Sequence, residues 1–332
     1  MDRISTFNTY SSVVSSLMNN EIQQSQLAAQ VSSGFVASDL KGFGANAEAL
    51  TAAQTVKTKV DSYVQNSTAL SAKLDAQNLA LTQVASAGTG ARAAIANALA
   101  TGSGQDLMSS LQSYFGQAAA GLNTQYNGEY LFSGGRTATA PVQTQQMSDL
   151  ISTPAVPPAT AWTPSTWSPN PATTYNNVFQ NDQLTATTQL DESTTIQTGI
   201  LASNAGGSLF NAFSQIQDFQ QSSGDPITGQ LDASQTAFLT NMLQTFDSAN
   251  QDLTATTAGN GLNQAQVAQS LTTQTDRQTS LQGMIGGITG VDMAQVSSQL
   301  SQVQTAIQAS AKIFSSLQTY SLLNFLQPPS AG

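Results

Sequence analysis

Charged side chains are scarce in this chain of 332 residues, at 8% of the total, and cysteine and histidine are missing altogether. Without cysteine there is no disulfide and no thiolate nucleophile. Without histidine the chain lacks the commonest general base and the commonest metal ligand. These absences count against an enzyme, and we expect no catalytic residues, no cofactor and no metal.

The charge balance also limits the partners. The chain holds nine Lys and Arg, scattered singly, against nineteen acidic residues. Binding to nucleic acid needs clustered cations, so nucleic acid is not an expected partner. No run of 18 apolar residues predicts a membrane span. The polar start, Met1-Asp2-Arg3, is unlike a cleavable secretory signal.

The segment from Gly290 to Leu326 carries an apolar stripe with steps of three and four residues. That spacing predicts a long amphipathic helix that packs against partner helices. Asp292 and Gln295 predict a capped start, and Pro328 predicts the end. One helix buries too little apolar surface to offset the entropy of ordering it, so we expect it to be loose in the free monomer. The stripe consists of Met293, Val296, Leu300, Val303, Ile307, Ser310, Phe314, Leu317 and Ser321.

Residues 4–31 form a second amphipathic stretch at the other end of the chain, and Gly34 is a plausible residue to terminate its helix. Terminal helices of one character predict pairing with each other or with neighbouring subunits. The same periodicity also fits core helices of a monomeric bundle, and the polar interruptions at Glu21, Ser310 and Ser321 disfavour that alternative. The predicted assembly residues are Ile4, Phe7, Val14, Leu17, Val296, Leu300, Val303, Ile307, Phe314, Leu317, Leu322, Leu323, Phe325 and Leu326.

Helical periodicity also fills much of the interior. A seam from Ala53 to Val84 predicts a long helix that Gly88 and Gly90 disturb and that ends at 101–104. A shorter helix is predicted over 105–126. After residue 198, helices are predicted from near Gly207 and from Asp232 to about Leu281, with a hinge at residues 286–287. The long seam is Ala53, Val56, Val60, Tyr63, Ser67, Leu70, Leu74, Gln77, Leu81 and Val84.

Residues 138–198 differ in composition, since seven of the ten prolines lie there, and we expect a β-rich insert. Asn127-Gly128 predicts a hairpin turn just before it. Trp162 and Trp167 favour a small hydrophobic core over a sugar platform. The acidic pair Asp191-Glu192 favours a solvated loop over a catalytic dyad or calcium site. Glycines on both flanks predict a flexible junction and a dispensable surface domain.

The predicted fold is therefore mainly α with a β-rich insert. It is a long antiparallel helical rod, with terminal coiled-coil helices, a helical bundle and a small β domain at the tip. The predicted divisions are 1–40 and 290–332 for the two halves of an inner helical domain, 41–137 and 199–289 for the two halves of a rod domain, and 138–198 for the insert.

The terminal segments resemble the flagellin and hook-associated protein 3 family of bacterial flagella. The stretch 24–34, QSQLAAQVSSG, is similar to the family's N-terminal helix ending in Ser-Ser-Gly. Ser38-Asp39 matches part of a Ser-Asp-Asp step. Gly259 and Asn263 match the spacing of a Gly-Ala-x-x-Asn-Arg segment in which Gln264 replaces the usual arginine. The longest match runs from Val291 to Leu326.

Two features resemble hook-associated protein 3 more than flagellin. One is the chain's end, Ser-Leu-Leu-Asn-Phe-Leu, and the other is a Gly-x-Tyr-Leu-Phe-Ser-Gly signature. The signature is Gly128, Tyr130, Leu131, Phe132, Ser133 and Gly134.

The resemblance implies an axial protein, exported unfolded through the flagellar channel, extracellular, and assembled through its terminal helices. It implies self-assembly into a ring joining hook to filament, with hook-associated protein 1, flagellin and a flagellar export chaperone as partners. A filament-forming flagellin is the alternative. An enzyme or glycan-binding insert and an export-system tip protein are further alternatives, disfavoured by the missing histidine and cysteine and by the lack of an apolar membrane-inserting segment.

Overall fold

The computed structural model describes residues 2–153, 174–175, 177–223 and 226–326. In this part the chain is mainly α-helical, with three antiparallel two-stranded sheets confined to residues 125–197. The helices are α1 (Asp2–Ser33), α2 (Ala47–Thr101), α3 (Leu107–Leu122), α4 (Ala202–Ser222), α5 (Ala233–Thr289) and α6 (Met293–Leu326). The strands are β1 (Gln125–Tyr126), β2 (Glu129–Tyr130), β3 (Ile151–Thr153), β4 (Thr174–Tyr175), β5 (Thr187–Gln189) and β6 (Thr195–Gln197). Short 3₁₀ helices cover Leu40–Asn46 and Met147–Leu150.

The strands pair within each sheet as β1 with β2, β3 with β4 and β5 with β6. The chain divides into two compact units. One unit combines Met1–Val60 with Asp276–Gly332, and the other is Asp61–Thr275.

The larger unit holds the main hydrophobic core, to which α2, α3, α4 and α5 all contribute. Phenylalanine rings fill its centre. Phe213 meets Phe115 and Phe246 edge to face, with centroids 5.5 and 5.2 Å apart, and Phe219 stacks on Phe238 at 4.0 Å. Such ring pairs add to the free energy gained from burial alone.

The α2 seam is largely confirmed. Of its ten predicted positions eight are buried, Tyr63 is half-buried and Val56 is exposed. The disturbance predicted at Gly88 and Gly90 does not occur, and α2 runs through both to Thr101. A Cβ on Gly88 would clash with Asn250 and one on Gly90 with Tyr114, so both glycines serve close packing.

Other helix boundaries also differ from the prediction. The helix expected near Gly207 begins at Ala202, so Gly206 is an interior helix residue. A Cβ added to Gly206 would lie 2.5 Å from the side chain of Leu122, which shows how closely the helix packs there. The expected hinge at residues 286–287 is helical, and α5 ends only at Thr289.

Part of the insert belongs to the main core. Val142, Met147, Leu150 and Ile151 are buried in the same cluster as the helices. Side-chain amides of α3 and of the residue after it form hydrogen bonds with the main chain of residues 142–147, in the way that a neighbouring β-strand would. Asn123 donates to the Val142 carbonyl at 2.7 Å and accepts from the Val142 amide at 2.9 Å. We therefore expect that only a shorter segment within 138–198 can be removed without loss of core contacts.

Candidate assembly surface and hairpin motif

The end of α1 and the start of α6 are tied together by main-chain bonds. Gly34, at φ +75°, terminates α1, and its amide donates to the Gln30 carbonyl at 2.8 Å. The Gly34 carbonyl then accepts from the Val291 amide at 3.1 Å. Asp292 caps α6 by accepting from the amides of Ala294 and Gln295 at 2.9 and 3.1 Å. The predicted cap is confirmed.

The predicted α6 stripe faces α1 in part. Val296 and Val303 are buried, with 6% and 8% exposure, in one apolar cluster with Leu27 of α1. Four more side chains pack against that cluster only half-buried: Val31, Val291, Leu300 and Ile307. Val14, Leu17 and Phe314 are also half-buried. The terminal pair thus has an apolar seam that one partner helix covers incompletely.

Apolar side chains also point away from this seam. On α1, Met18 and Ile22 are 59% and 57% exposed, and on α6, Met293 and Ile313 are 45% and 51% exposed. Met293 was predicted to lie in the seam and lies outside it. Ile313 follows no predicted stripe, so its exposure is seen only in the structure. Large apolar side chains repeated along two helices are typical of a surface covered by further chains.

The remaining predicted assembly residues lie outside the side chains that the structure describes. They are Ile4, Phe7, Leu317, Leu322, Leu323, Phe325 and Leu326. Their place in the seam stays a prediction. Trp162 and Trp167 likewise lie outside the described residues.

The hairpin motif begins with the predicted tight turn. Asn127 and Gly128 both have positive φ, 52° and 82°, and they connect Tyr126 to Glu129 across the β1–β2 pair. A two-residue turn with two left-handed positions matches the twist of a hairpin, which explains the Asn-Gly sequence. Asn127 is the only residue other than glycine with positive φ among those described.

After the turn the motif runs into the core. Leu131, Phe132 and Ser133 are buried, and the Ser133 hydroxyl donates to the Tyr130 carbonyl at 3.0 Å. The Phe132 carbonyl accepts from the Ala202 amide at 2.9 Å, which fixes the first turn of α4. The motif therefore connects the hairpin to the core and to the start of α4.

Asp182 closes the motif from the other side of the insert. Its carboxylate accepts from the amides of Gly135 and Leu184 at 2.8 and 3.0 Å. A Cβ on Gly134 would clash with this carboxylate, and Gly134 has φ +69°. A Cβ on Gly199 would likewise clash with the backbone nitrogen of Ala186. Gly134 and Gly199 thus permit close packing, which argues against a flexible junction at these two positions.

The hydrogen bonds also set the charge state of Asp182. The Gly135 amide, followed by the Leu184 amide, holds the pKa of the Asp182 carboxyl below its ordinary value of 3.8, and Arg136 contributes a smaller electrostatic effect. Protonating the Asp182 carboxylate weakens its hydrogen bonds from these two amides. Asp182 therefore stabilises the junction above pH 3.8, and that contribution is lost as the pH falls through the lower folded-state pKa. No sequence pattern marked this residue.

Asp191 has a local structural role. Its Oδ1 accepts from the amides of Ser193 and Thr194 at 2.8 and 2.7 Å, which closes the β5–β6 hairpin. The Ser193 amide is the main reason that the pKa of Asp191 lies below its ordinary value of 3.8. This turn agrees with the loop interpretation of the acidic pair. Among the described residues, no three acidic side chains gather as a metal site would require.

The Gly-Asn-Gly-Leu-Asn-Gln segment of α5 links β6 and α2 within the larger unit. Asn263 donates to the Gln197 carbonyl at 2.9 Å, and Gln264 donates to the Asp75 carboxylate at 2.8 Å. This hydrogen bond from an uncharged amide to a carboxylate stands where the resemblance implies an arginine. Neighbouring Asn260 is buried and donates to the Leu74 carbonyl at 2.9 Å.

Comparison with protein families gives two matches. The model of the bacterial flagellin N-terminal helical region matches residues 4–137, and that of the bacterial flagellin C-terminal helical region matches residues 243–326. Together they span about two thirds of the chain. No curated protein matches the sequence. No helix in the described ranges has the length and hydropathy needed to cross a membrane.

Comparison with solved structures finds a similar fold at low sequence identity in one case. A protein from Vibrio parahaemolyticus assigned as a flagellar hook-associated protein is 14% identical, with a TM-score of 0.55 over 74% of this chain and 97% of that one. The crystal structure of FlgL from Bacillus cereus is 12% identical, with a TM-score of 0.48 over 71% of this chain and 98% of that one.

Proposed function

This chain belongs to the bacterial flagellin family of structural flagellar proteins, and within that family we propose that it is hook-associated protein 3, which joins hook to filament. The observation that carries the finer assignment is the hairpin motif. Its residues resemble the junction protein's signature, and they run from the turn at Asn127-Gly128 through the buried stretch 131–133 to a hydrogen bond at the start of α4. A filament-forming flagellin is the second candidate, because both family models that match are flagellin's.

The terminal helices support assembly as the activity. The seam of Leu27, Val296 and Val303 is flanked by half-buried Leu300 and Ile307, and Met18 and Ile22 are exposed beside it. Burying those side chains against neighbouring subunits stabilises a ring or tube by about 1.5–3 kcal/mol for each large side chain fully covered. We therefore propose self-association through α1 and α6, with hook-associated protein 1 and flagellin as the adjoining axial partners.

The same proposal extends to how the protein is exported and to its structural role. We propose that a flagellar export chaperone holds the terminal helices before export, that the chain passes through the flagellar channel without a cleaved signal, and that it acts outside the cell. It has a structural and not an enzymatic role. Nucleic acid and membrane are not among its proposed partners.

Immunogold labelling of whole flagella separates the two candidates. A junction protein gives gold particles at one point, where hook meets filament, and a flagellin gives particles along the filament. In a strain lacking the gene, the junction role predicts bare hooks with a second, flagellin-like protein shed into the medium. Bare hooks with no shed flagellin, or labelling along the filament, would overturn the junction assignment.

A further inference from the structure

The chain contains two Asn-Gly sequences, and the structure places them in opposite environments. Asn127-Gly128 is an exposed hairpin turn, and Asn260-Gly261 lies inside α5. Asparagine followed by glycine is chemically labile, because a glycine amide is unhindered by a Cβ and can attack the asparagine side chain. We propose that Asn127 is a site of spontaneous deamidation in the folded protein and that Asn260 is protected.

The reaction at Asn127 balances with water alone. The Gly128 amide nitrogen loses its proton to a base in solution and attacks Cγ of Asn127, forming a C–N bond. The Cγ–Nδ2 bond breaks, and ammonia leaves with the returned proton, so a five-membered succinimide remains. Water then opens the ring at either carbonyl, which gives aspartate or isoaspartate at position 127.

The geometry around Asn127 leaves the reacting atoms free. The ladder pairs are Gln125 with Tyr130 and Tyr126 with Glu129, so neither central turn residue belongs to the ladder. Asn127 and Gly128 are both exposed, which admits water to the ring and to the leaving ammonia.

Asn260 differs at each of these points. Its side chain is 1% exposed, and its Nδ2, the leaving group, donates to the Leu74 carbonyl at 2.9 Å. The helix holds Gly261 in the i to i−4 hydrogen-bonding pattern of α5 and fixes the Asn260 ψ angle. The same dipeptide is therefore an internal control for the effect of the fold.

Deamidation at the turn changes the charge and the backbone at the edge of a cavity. Asn127 and Glu129 line a cavity of about 320 Å³ with Lys73, Tyr126 and Tyr130. Aspartate adds a second carboxylate beside Glu129. Isoaspartate adds a methylene to the main chain and breaks the two-residue turn that this hairpin requires. A protein that is not replaced after assembly would accumulate both forms at this one turn.

The test is peptide mapping by mass spectrometry of the purified full chain, aged at pH 8 and 37 °C. We expect conversion at Asn127 to exceed conversion at Asn260 by at least about tenfold, and the ratio to approach one in a chain aged in denaturant. The denatured chain controls for intrinsic reactivity. Equal rates in the folded chain, or an Asn127 that stays intact while the denatured chain reacts, would overturn the proposal.

A variant separates chemistry from stability. Asn127→Asp removes the reactive amide while leaving a side chain that tolerates the left-handed region. We expect the thermal midpoint of this variant to stay near that of the parent and the ammonia released by the folded chain to fall to background. Ammonia release that persists unchanged in the folded variant would place the reaction at another residue and refute the assignment.

Discussion

At the scale of single residues, the junction between Gly134 and Asp182 is a point where an added methyl group should destabilise the larger unit. Gly134→Ala would force a Cβ into the Asp182 carboxylate at a backbone angle of φ +69°. We expect a loss of about 1–3 kcal/mol in the free energy of unfolding, measured by urea denaturation.

A matched glycine provides the control for that prediction. Gly207 lies within α4 with no atom within 4 Å of an added Cβ. Gly207→Ala should leave stability unchanged or raise it by about 0.5–1 kcal/mol. If Gly134→Ala behaves like Gly207→Ala, the close approach to Asp182 has no energetic consequence.

Gln264 tests whether the family's usual arginine would work in this chain. Gln264→Arg would replace the uncharged amide donor to the Asp75 carboxylate with a cation and so form an ion pair at a partly exposed site. We expect a gain of about 0.2–1 kcal/mol at low salt, because surface ion pairs contribute little. A double-mutant cycle with Asp75→Asn should measure the coupling, and added salt should reduce it. A coupling that is zero at low salt would contradict the pairing.

At the scale of elements, α6 is the element on which the assembly proposal depends. Leu300→Asp or Ile307→Asp places a carboxylate in the half-covered seam, where desolvating it costs several kcal/mol once neighbours cover it. We expect loss of assembly with the larger unit still folded by circular dichroism. Gln302→Asp adds the same charge at an exposed position of α6 and should assemble normally. Filaments that grow normally with Leu300→Asp would refute this role for α6.

Buried amides join α2 to the segment after β6 and to α5 in the larger unit. Gln77 and Asn260 are buried and donate to the carbonyls of Thr198 and Leu74 at 3.3 and 2.9 Å. Their donors are paired, while the oxygens Oε1 of Gln77 and Oδ1 of Asn260 have no protein partner among the described residues. Polar groups with partial pairing cost stability compared with leucine but favour one helix register.

At the scale of the whole molecule, the terminal helices differ from the rest in what supports them. The cluster of Leu27, Val296 and Val303 is small beside the main core. We expect limited proteolysis of a verified monomer to remove roughly the first and last forty residues and leave a stable core, since few apolar contacts oppose the entropy of local unfolding. Full resistance of both ends would contradict this prediction.

The insert gives the second prediction at this scale. Residues 142–151 contribute to the main core, and Leu190 and Ile196 pack with Leu70, Leu74 and Val267, so removing all of 138–198 should destabilise the larger unit. Replacing only residues 154–173 with a short Gly-Ser linker leaves those contacts in place. We expect its thermal midpoint and filament attachment to match the parent. Loss of filaments with the protein still exported would show that 154–173 carries a junction contact.

Local patterns in the sequence determined the helices, the Asp292 cap, the Asn127-Gly128 turn and the seams from Ala53 to Val84 and Val296 to Ile307. Each of these depends on backbone hydrogen bonds and on the helical or strand period, which neighbouring residues set. Only the tertiary structure decided that Gly88, Gly134 and Gly199 allow close packing, that Asp182 closes the motif and that the flanks of the insert enter the core. Those features depend on which distant segments meet, and proline content or glycine position in the sequence does not encode that.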